Sequence, residues 1–191
     1  MKTTLRPGSL VYVMGPSGAG KDSLLRHARA SLEGNRPVVF AHRYITRPLH
    51  PGENHVALTH HEFALRRRHD CFALHWRSHG NEYGVGREID GWMAAGLTVV
   101  VNGSRAYFPE ALKRYPDLLP VLVTVDAAVL RQRMVDRGRE TGTEIERRLA
   151  SATAFECGHP RLHIIDNTGA LDLAGTRFRE IILSEGNRVK E

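Results

Sequence analysis

A glycine-rich segment near the amino terminus carries the residue types that bind nucleotide phosphates. Its sequence, Gly15-Pro16-Ser17-Gly18-Ala19-Gly20-Lys21-Asp22-Ser23, fits the pattern G-x-x-x-x-G-K, with Asp22 where Ser or Thr is usual. An apolar run at residues 10–14 precedes it and a helical pattern follows. In a strand–loop–helix unit, backbone N–H groups and the start of the helix face a bound phosphate. We therefore predict a nucleotide site at residues 15–23, with Lys21 on the terminal phosphates.

Asp22 brings a carboxylate to this phosphate site. Such loops usually place a hydroxyl there for Mg²⁺, and an Asp at the end of a later strand assists. In this chain the apolar run 99–101 ends instead in Asn102. Two interpretations stay open: the carboxylate has moved into the loop and contacts Mg²⁺, or Asp22 only interacts with the helix dipole.

The chain is basic, with a formal net charge of +6. Its arginines are distributed along the sequence and are not confined to a tail, which favours small anionic ligands such as phosphorylated molecules over nucleic acid. The clusters are Arg43/Arg47, Arg66–Arg68, Arg131/Arg133, Arg137/Arg139 and Arg147/Arg148.

The order of apolar runs and helical periods predicts the elements that must position these residues. Strands are expected at residues 10–14, 38–41, 98–101, 119–125 and 162–165. Helices are expected at 22–32, 89–95, 104–115, 127–137, 144–156 and 171–183. Short, wholly apolar strands that alternate with helices predict an α/β fold whose parallel sheet is covered on both faces. With 191 residues, we expect one domain.

Residues 43–86 interrupt this rhythm and are rich in His and Arg. We interpret them as an inserted acceptor-binding lobe, with a short helix that begins after Thr59-x-x-Glu62 and a strand at residues 71–76. Elsewhere, Thr143-x-x-Glu146 predicts a capping box, Asp126 a helix N-cap, and Gly96 a left-handed helix end.

Cysteine usage and hydropathy bear on the compartment. Cys71 and Cys157 lie far apart in sequence and in no C-x-x-C pair, which fits a reducing cytoplasm. The apolar run near the amino terminus is too short for a signal peptide, and nothing approaches a membrane span. The sequence leaves the oligomeric state open, with a homodimer among the alternatives.

At this point the chain resembles the guanylate-kinase-like branch of the nucleoside-monophosphate kinases, over residues 9 to about 170. The glycine-rich loop matches. Arg43-x-x-Thr46-Arg47-Pro48 with Gly52-Glu53 occupies the place where that family holds its acceptor phosphate, and Tyr83-Gly84 resembles a later phosphate-contacting Tyr. Arg137-Gly138-Arg139 and Arg147-Arg148-Leu149 are similar to an Arg-rich lid. The resemblance implies a P-loop NTPase-type three-layer sandwich with an inserted lobe (about 43–86) and a lid (about 137–147).

Within that branch the chain is most similar to the ribose 1,5-bisphosphate phosphokinases. This resemblance rests on Asp22 after Lys21, on Gly52-Glu53-Asn54-His55, on Trp76-x-x-His79-Gly80 and on Asn102-Gly103-Ser104-Arg105. The chain departs from guanylate kinases because His50 replaces a second Arg, the acidic-Tyr-x-Phe run is absent, and Asn102 replaces an Asp. The resemblance implies ATP- and Mg²⁺-dependent conversion of ribose 1,5-bisphosphate into 5-phosphoribosyl 1-diphosphate, in phosphonate breakdown or a bypass route.

The resemblance also assigns roles. Arg137 and Arg139, with Arg148, would close over the transferring phosphates, against the alternative of solvated helix-end arginines. Arg43 and Arg47 would clamp an acceptor phosphate. Tyr83 would donate its O–H to the acceptor, or is a packed aromatic. Glu53 would accept from sugar hydroxyls, or is a turn residue. His79 would contact a sugar phosphate, and Asn167 would lie at the adenine.

Trp76 is expected in the core of the lobe, and the spacing of the histidines does not favour zinc. Three rival functions remain: a nucleoside-monophosphate kinase for GMP, a non-catalytic binding module, and an RNA-binding protein. Lys21 and the lid arginines count against the second, and the lack of an aromatic-basic surface counts against the third.

Overall fold

The computed structural model describes residues 7–32, 34, 36–49, 54–138, 142–153, 155 and 157–188, with residues 137, 151, 153, 187 and 188 described by their backbone alone. The strands in these ranges are β1 (Leu10–Met14), β2 (Val38–Phe40), β3 (Arg43–Ile45), β4 (His55–Ala57), β5 (Phe72–Ser78), β6 (Asn81–Gly86), β7 (Thr98–Asn102), β8 (Leu119–Thr124) and β9 (His163–Asp166). The helices are α1 (Lys21–Leu32), α2 (His60–Arg68), α3 (Glu88–Ala94), α4 (Phe108–Arg114), α5 (Ala127–Arg137), α6 (Gly142–Thr153) and α7 (Leu171–Arg188).

The core sheet has five parallel strands in the order β2-β7-β1-β8-β9. Because successive side chains of a strand point to opposite faces, β1 contributes side chains to two separate cores. Val11 and Val13 pack with residues of α1 and α7, whereas Tyr12 and Met14 pack with residues of α3 and α4. The result is the three-layer α/β arrangement predicted from the sequence, with each predicted core strand present and its ends shifted by no more than one residue.

The inserted lobe is a second sheet of four strands in the order β4-β3-β6-β5, with α2 packed on it. Strands β3 and β4 are parallel, and β6 is antiparallel to both β3 and β5. The sequence predicted one strand here, at 71–76, and missed the other three. Strands β3 and β4 have only three residues each and are partly exposed, so they carry no apolar run that local patterning detects.

Helix ends test the capping predictions. Thr59 accepts from the Glu62 N–H, Asp126 accepts from the N–H groups of the first turn of α5, and Gly96 has a φ of 82°, so these three predictions are confirmed. The Thr143 capping box is wrong: α6 already begins at Gly142, and the Glu146 side chain pairs with Arg131 on α5.

The helix predicted at 104–115 begins later than expected, at Phe108. The reason is that both backbone groups of Ser104 bond to the Tyr12 hydroxyl: the Ser104 N–H donates to it and the Ser104 carbonyl accepts from it, each at 2.9 Å. The Ser104 carbonyl, which in a helix would accept from the Phe108 N–H, is therefore engaged by Tyr12, and the Phe108 N–H donates to the Arg105 carbonyl instead.

Helices α5 and α6 form a hairpin with its own small apolar cluster, made by Leu130, Met134, Ile145 and Leu149. This hairpin, which we call the lid, occupies the part of the chain where the Arg-rich lid was expected. None of the helices in the described ranges has both the length and the apolar composition needed to cross a bilayer.

Candidate active site

The glycine-rich segment forms a loop between the end of β1 and the start of α1. Gly18 and Gly20 have φ values of 92° and 82°, a conformation that costs side-chain-bearing residues about 1–2 kcal/mol. The Lys21 ammonium donates to the carbonyls of Gly15 and Pro16, both at 2.8 Å, and so ties the two ends of the loop together. The loop therefore presents its N–H groups and Lys21 at the start of α1, the geometry that binds phosphate.

Asn167, expected at the adenine, braces this loop from behind. Its side-chain amide donates to the Ala19 carbonyl at 2.7 Å, and the residue is 3% exposed. A methyl group on Gly20 would overlap the same amide, which explains the absence of a side chain there. Its contact with adenine stays a prediction.

Arg133 belongs to one of the basic clusters of the sequence, but the sequence assigned it no role at the site. Its Nη2 donates to the Asn167 carbonyl at 2.9 Å, and its Nη1 lies 3.7 Å from a Cβ built on Gly20. Nη1 is buried and has no hydrogen-bond partner within the described residues. The signal was present, because Arg133 lies one helical turn before Arg137 and shares its face of α5.

Arg148 reaches the loop from the lid. Its Nη1 donates to the Ser17 hydroxyl at 3.1 Å, so one predicted lid arginine does lie against the phosphate-binding loop. The lid is held together beside it by the paired guanidinium and carboxylate of Arg131 and Glu146. Arg139 and Glu53 lie outside the described residues, as does the side chain of Arg137.

Asp22 joins the loop to both sheets. Its Oδ1 accepts from Arg43 Nη2 on β3 and from Asn102 Nδ2 at the end of β7, each at 2.9 Å. The Asp22 side chain is 47% exposed and that of Arg43 only 13%. The structure therefore brings together the loop carboxylate and the Asn at the strand end, the two residues on which the relocation hypothesis rests. It also gives Arg43 a carboxylate partner on the loop, which the sequence did not predict.

Asn102 is fixed by its neighbours. It is 5% exposed, and its Oδ1 has no hydrogen-bond partner within the described part of the chain. The following residues are immobilised by the buried Tyr12 hydroxyl, whose pKa is raised by burial, so that it stays protonated and donates to Ser104. A buried amide oxygen without a partner, beside a carboxylate, offers oxygen ligands of the kind that Mg²⁺ prefers.

The other predicted acceptor residues are distributed over the lobe. Arg47 follows β3 and is half-buried. Tyr83 stacks on Trp76 with ring centroids 5.5 Å apart, and Tyr107 stacks on Trp76 at 5.6 Å. Trp76 is packed, but against the cluster that β1 shares with α3 and α4 and not within the lobe's own apolar cluster. His79 lies in the exposed turn between β5 and β6, where it has a φ of 47°. The tight turn requires this left-handed conformation, so a structural role accounts for His79 there, and its contact with a sugar phosphate stays a prediction.

A cavity of about 270 Å³ adjoins Asp22 on the side of α1 that faces β2 and β7. Its polar lining is contributed by the loop, α1, β3, β7 and the segment before β4, through Asp22, Arg26, Arg29, Arg43, Asn54 and Asn102. Arg26 and Arg29 are further residues that the sequence analysis did not assign to a site.

Similarity to curated proteins covers almost the whole chain. It is 55% identical to the ribose 1,5-bisphosphate phosphokinase PhnN of Thiobacillus denitrificans over 177 residues, 92% of this chain and 93% of that protein. It is 54% identical to the protein of the same name from Desulfomicrobium baculatum over 175 residues (91% and 94%), and 45% identical to that from Psychromonas ingrahamii over 184 residues (95% and 93%). No family model matches the chain.

Among solved structures, guanylate kinase from Anaplasma phagocytophilum superposes with a TM-score of 0.69 at 16% identity, covering 95% of this chain and 87% of that one. A sugar kinase from Janibacter gives a TM-score of 0.54 at 18% identity, covering 96% and 98%. These likenesses confirm the fold alone. The parallel core sheet, the glycine-rich loop and these neighbours define a P-loop fold of the guanylate-kinase-like type, and the curated relatives, all named phosphokinases, define its class as a phosphotransferase. At 45–55% identity over at least 91% of its length, the chain belongs to the ribose 1,5-bisphosphate phosphokinase family.

Proposed function

We propose that this protein transfers the γ-phosphoryl group of ATP to ribose 1,5-bisphosphate and so forms 5-phosphoribosyl 1-diphosphate. The observation that carries the proposal is the high identity, over nearly the full length, to proteins named for that substrate. The site supports it, because Lys21, Arg43 and Arg148 supply cations around a phosphate-binding loop.

The proposed reaction joins two phosphates. An oxygen of the sugar 1-phosphate attacks the γ-phosphorus of ATP, and a new P–O–P linkage forms. The bond from that phosphorus to the β,γ-bridging oxygen breaks, and ADP leaves with the electron pair. The second pKa of a phosphate monoester is ~6, so the nucleophile is already a dianion at neutral pH and needs no general base.

The protein must instead bring two anions together. Lys21 and the loop N–H groups hold the donor phosphates, and Arg148 neutralises charge on the group in transfer. On the acceptor side we assign Arg43 and Arg47 to the sugar phosphate, with Tyr83, Glu53 and His79 as further contacts. The lid arginines Arg137 and Arg139, and Asn167 at the adenine, complete the assignment, which rests on the family pattern.

Mg²⁺ fits the residues beside the loop. The Asp22 carboxylate and the buried Asn102 amide oxygen would hold it together with phosphate oxygens. When bound, the ion supplies neutralising charge to the β- and γ-phosphates. In this proposal the relocated carboxylate keeps one negative charge close to the metal.

We further infer that the reaction serves phosphonate breakdown in the cytoplasm, as the PhnN name of the relatives and the free thiols of Cys71 and Cys157 suggest. The partners in this proposal are small molecules, the nucleotide and the sugar phosphate. A homodimer is left as an alternative to a monomer.

A coupled assay for 5-phosphoribosyl 1-diphosphate tests the proposal. Purified protein should form this product from ATP and ribose 1,5-bisphosphate, and Lys21→Ala should abolish it. Lys113→Ala is the matched control, since Lys113 lies on the surface, 72% exposed, and pairs with Glu110. Product formation at the wild-type rate by Lys21→Ala would refute the proposed site.

Guanylate kinase activity is the second candidate, favoured by the structural likeness to a guanylate kinase. Both acceptors should be compared at equal concentration with the same ADP-release assay. A kcat/KM for GMP well above that for the sugar bisphosphate would replace the leading proposal by this one.

A further inference from the structure

The cavity beside Asp22 has the composition of an anion site separate from the phosphate-binding loop. Asp22, Arg26 and Arg29 lie at positions i, i+4 and i+7 of α1, so they share one face of the helix. Arg43 enters the same cavity from β3. Three guanidinium groups therefore face one carboxylate around a space of about 270 Å³, which leaves an excess of two positive charges.

Arg29 is held in a fixed position in this wall. Its Nη2 donates to the Phe40 carbonyl at 3.3 Å, and its guanidinium lies 5.4 Å from the centre of the Phe40 ring. In the amide orientation that satisfies all its neighbours, Asn54 accepts from both terminal nitrogens of Arg29, at 2.8 and 2.7 Å, and donates to His42 Nε2 at 2.9 Å. An arginine oriented in advance loses little entropy when it binds an anion.

Arg26 is the more adaptable member of the pair. It is exposed, and its Nη2 lies 3.5 Å from the Ser23 hydroxyl, a long hydrogen bond. The remaining wall is apolar, with Leu25, Phe40 and Val100 among its residues. Apolar walls lower the local dielectric constant and strengthen the attraction between a guanidinium and an anion.

We propose that this cavity binds the 5-phosphate of a pentose bisphosphate through Arg26 and Arg29. This is the acceptor phosphate that does not receive the γ-phosphoryl group. The inference rests on the proposed function and deepens it by naming the second phosphate subsite. At ~1.5 Å of rise per residue, Arg26 and Arg29 lie roughly 6 and 10 Å along α1 from Asp22. A pentose with a phosphate at each end has a comparable length, so its 1-phosphate lies beside the donor phosphates at the start of α1 while its 5-phosphate meets these arginines.

The subsite makes the choice of acceptor a matter of charge. A nucleoside monophosphate would present an uncharged base in place of the second phosphate, and a sugar with a single phosphate would present a hydroxyl. Either would leave the guanidinium groups of Arg26 and Arg29 without an anionic partner, which lowers affinity for the wrong acceptor.

The test compares acceptors that differ only in the 5-phosphate. Steady-state kinetics are measured with ribose 1,5-bisphosphate and with ribose 1-phosphate for the wild type, Arg26→Gln, Arg29→Gln and the control Arg177→Gln. Arg177 lies on α7, 64% exposed, next to Glu180. We expect each of the first two variants to raise KM for the bisphosphate about 10- to 100-fold, the loss of one charge-assisted hydrogen bond. Their kinetics with ribose 1-phosphate should match those of the control.

Arg29 also braces Phe40 and Asn54, so a folding defect in Arg29→Gln would say nothing about the subsite. Arg26→Gln keeps the proposal falsifiable, because in the described part of the chain the Arg26 guanidinium makes just one long hydrogen bond, to a hydroxyl that solvent can replace. An unchanged KM for the bisphosphate in a folded Arg26→Gln would overturn the proposal. An equal loss with both acceptors would overturn it as well.

Calorimetric binding of ribose 5-phosphate separates this proposal from the proposed function. The wild type should bind the compound and Arg26→Gln should bind it at least tenfold more weakly. If turnover of the bisphosphate is absent but binding depends on Arg26, the function fails and the subsite stands. If turnover is normal and binding is independent of Arg26, the subsite fails and the function stands.

Discussion

Replacing Arg148 with Ala distinguishes a catalytic arginine from one that only steadies the loop. In the structure the side chain donates to the Ser17 hydroxyl at 3.1 Å. A hydrogen bond from a charged donor contributes about 1.5–3 kcal/mol, equivalent to roughly 10- to 150-fold. An arginine on the transferring phosphoryl group is worth about 10³–10⁵ in kcat, or about 4–7 kcal/mol. The two roles therefore predict different magnitudes.

Four proteins are compared at saturating ATP and acceptor with an assay of ADP release: wild type, Arg148→Ala, Ser17→Ala and the surface control Arg177→Ala. We expect kcat to fall at least about 10³-fold in Arg148→Ala and no more than about 100-fold in Ser17→Ala, which removes the same hydrogen bond but keeps the cation. Thermal unfolding checks that each variant is folded. A kcat for Arg148→Ala within tenfold of that for Ser17→Ala would refute a direct role for the guanidinium.

Three further predictions concern the metal, the loop and the pH dependence of stability. Asp22→Ser should raise the Mg²⁺ concentration for half-maximal activity about 10- to 100-fold, and an unchanged titration would reject the metal role. Gly20→Ala should lower the free energy of unfolding by more than the ~1–2 kcal/mol cost of the left-handed conformation, because its methyl group would overlap Asn167. The control Gly34→Ala, at a φ of +90° with open space around it, should show the conformational cost alone. Equal losses of the two variants in urea titrations would contradict the overlap. Burial, with a hydrogen bond to a carboxylate on α3, raises the pKa of Tyr115 to about 12. Because the fold favours the neutral phenol, the free energy of unfolding should fall as pH rises from about 10 towards 12, and the fall should be smaller in Tyr115→Phe.

The core sheet was predictable because its strands are buried on both faces and are therefore apolar throughout. Residues 10–14 read as a strand from composition alone, and the structure gives the same bounds. The lobe was not predictable in this way. Strand β3 is half-buried and polar, and its residues are extended because they pair with β4 and β6, which no local pattern encodes.

The candidate site also has one part that the sequence predicts and one part that only the structure reveals. The phosphate-binding loop is a local motif, so the sequence identifies it residue by residue. The contacts of Asp22 with Arg43 and Asn102 join positions 21 and 80 residues apart, and they exist only because two sheets meet at the start of α1. The sequence assigned no role to Arg26 or Arg29, and only the cavity distinguishes them.

The attachment of the lobe has a consequence for how acceptor preference changes during evolution. The strand that enters the lobe and the strand that leaves it are hydrogen-bonded neighbours, with Arg43 opposite Val85. An insertion whose two ends meet in one paired ribbon can be exchanged as a cassette, without altering the strand order that carries the donor nucleotide. A kinase of this architecture can therefore acquire a new acceptor by replacing residues between these two positions and on the facing side of α1, while the ATP-binding machinery is inherited unchanged.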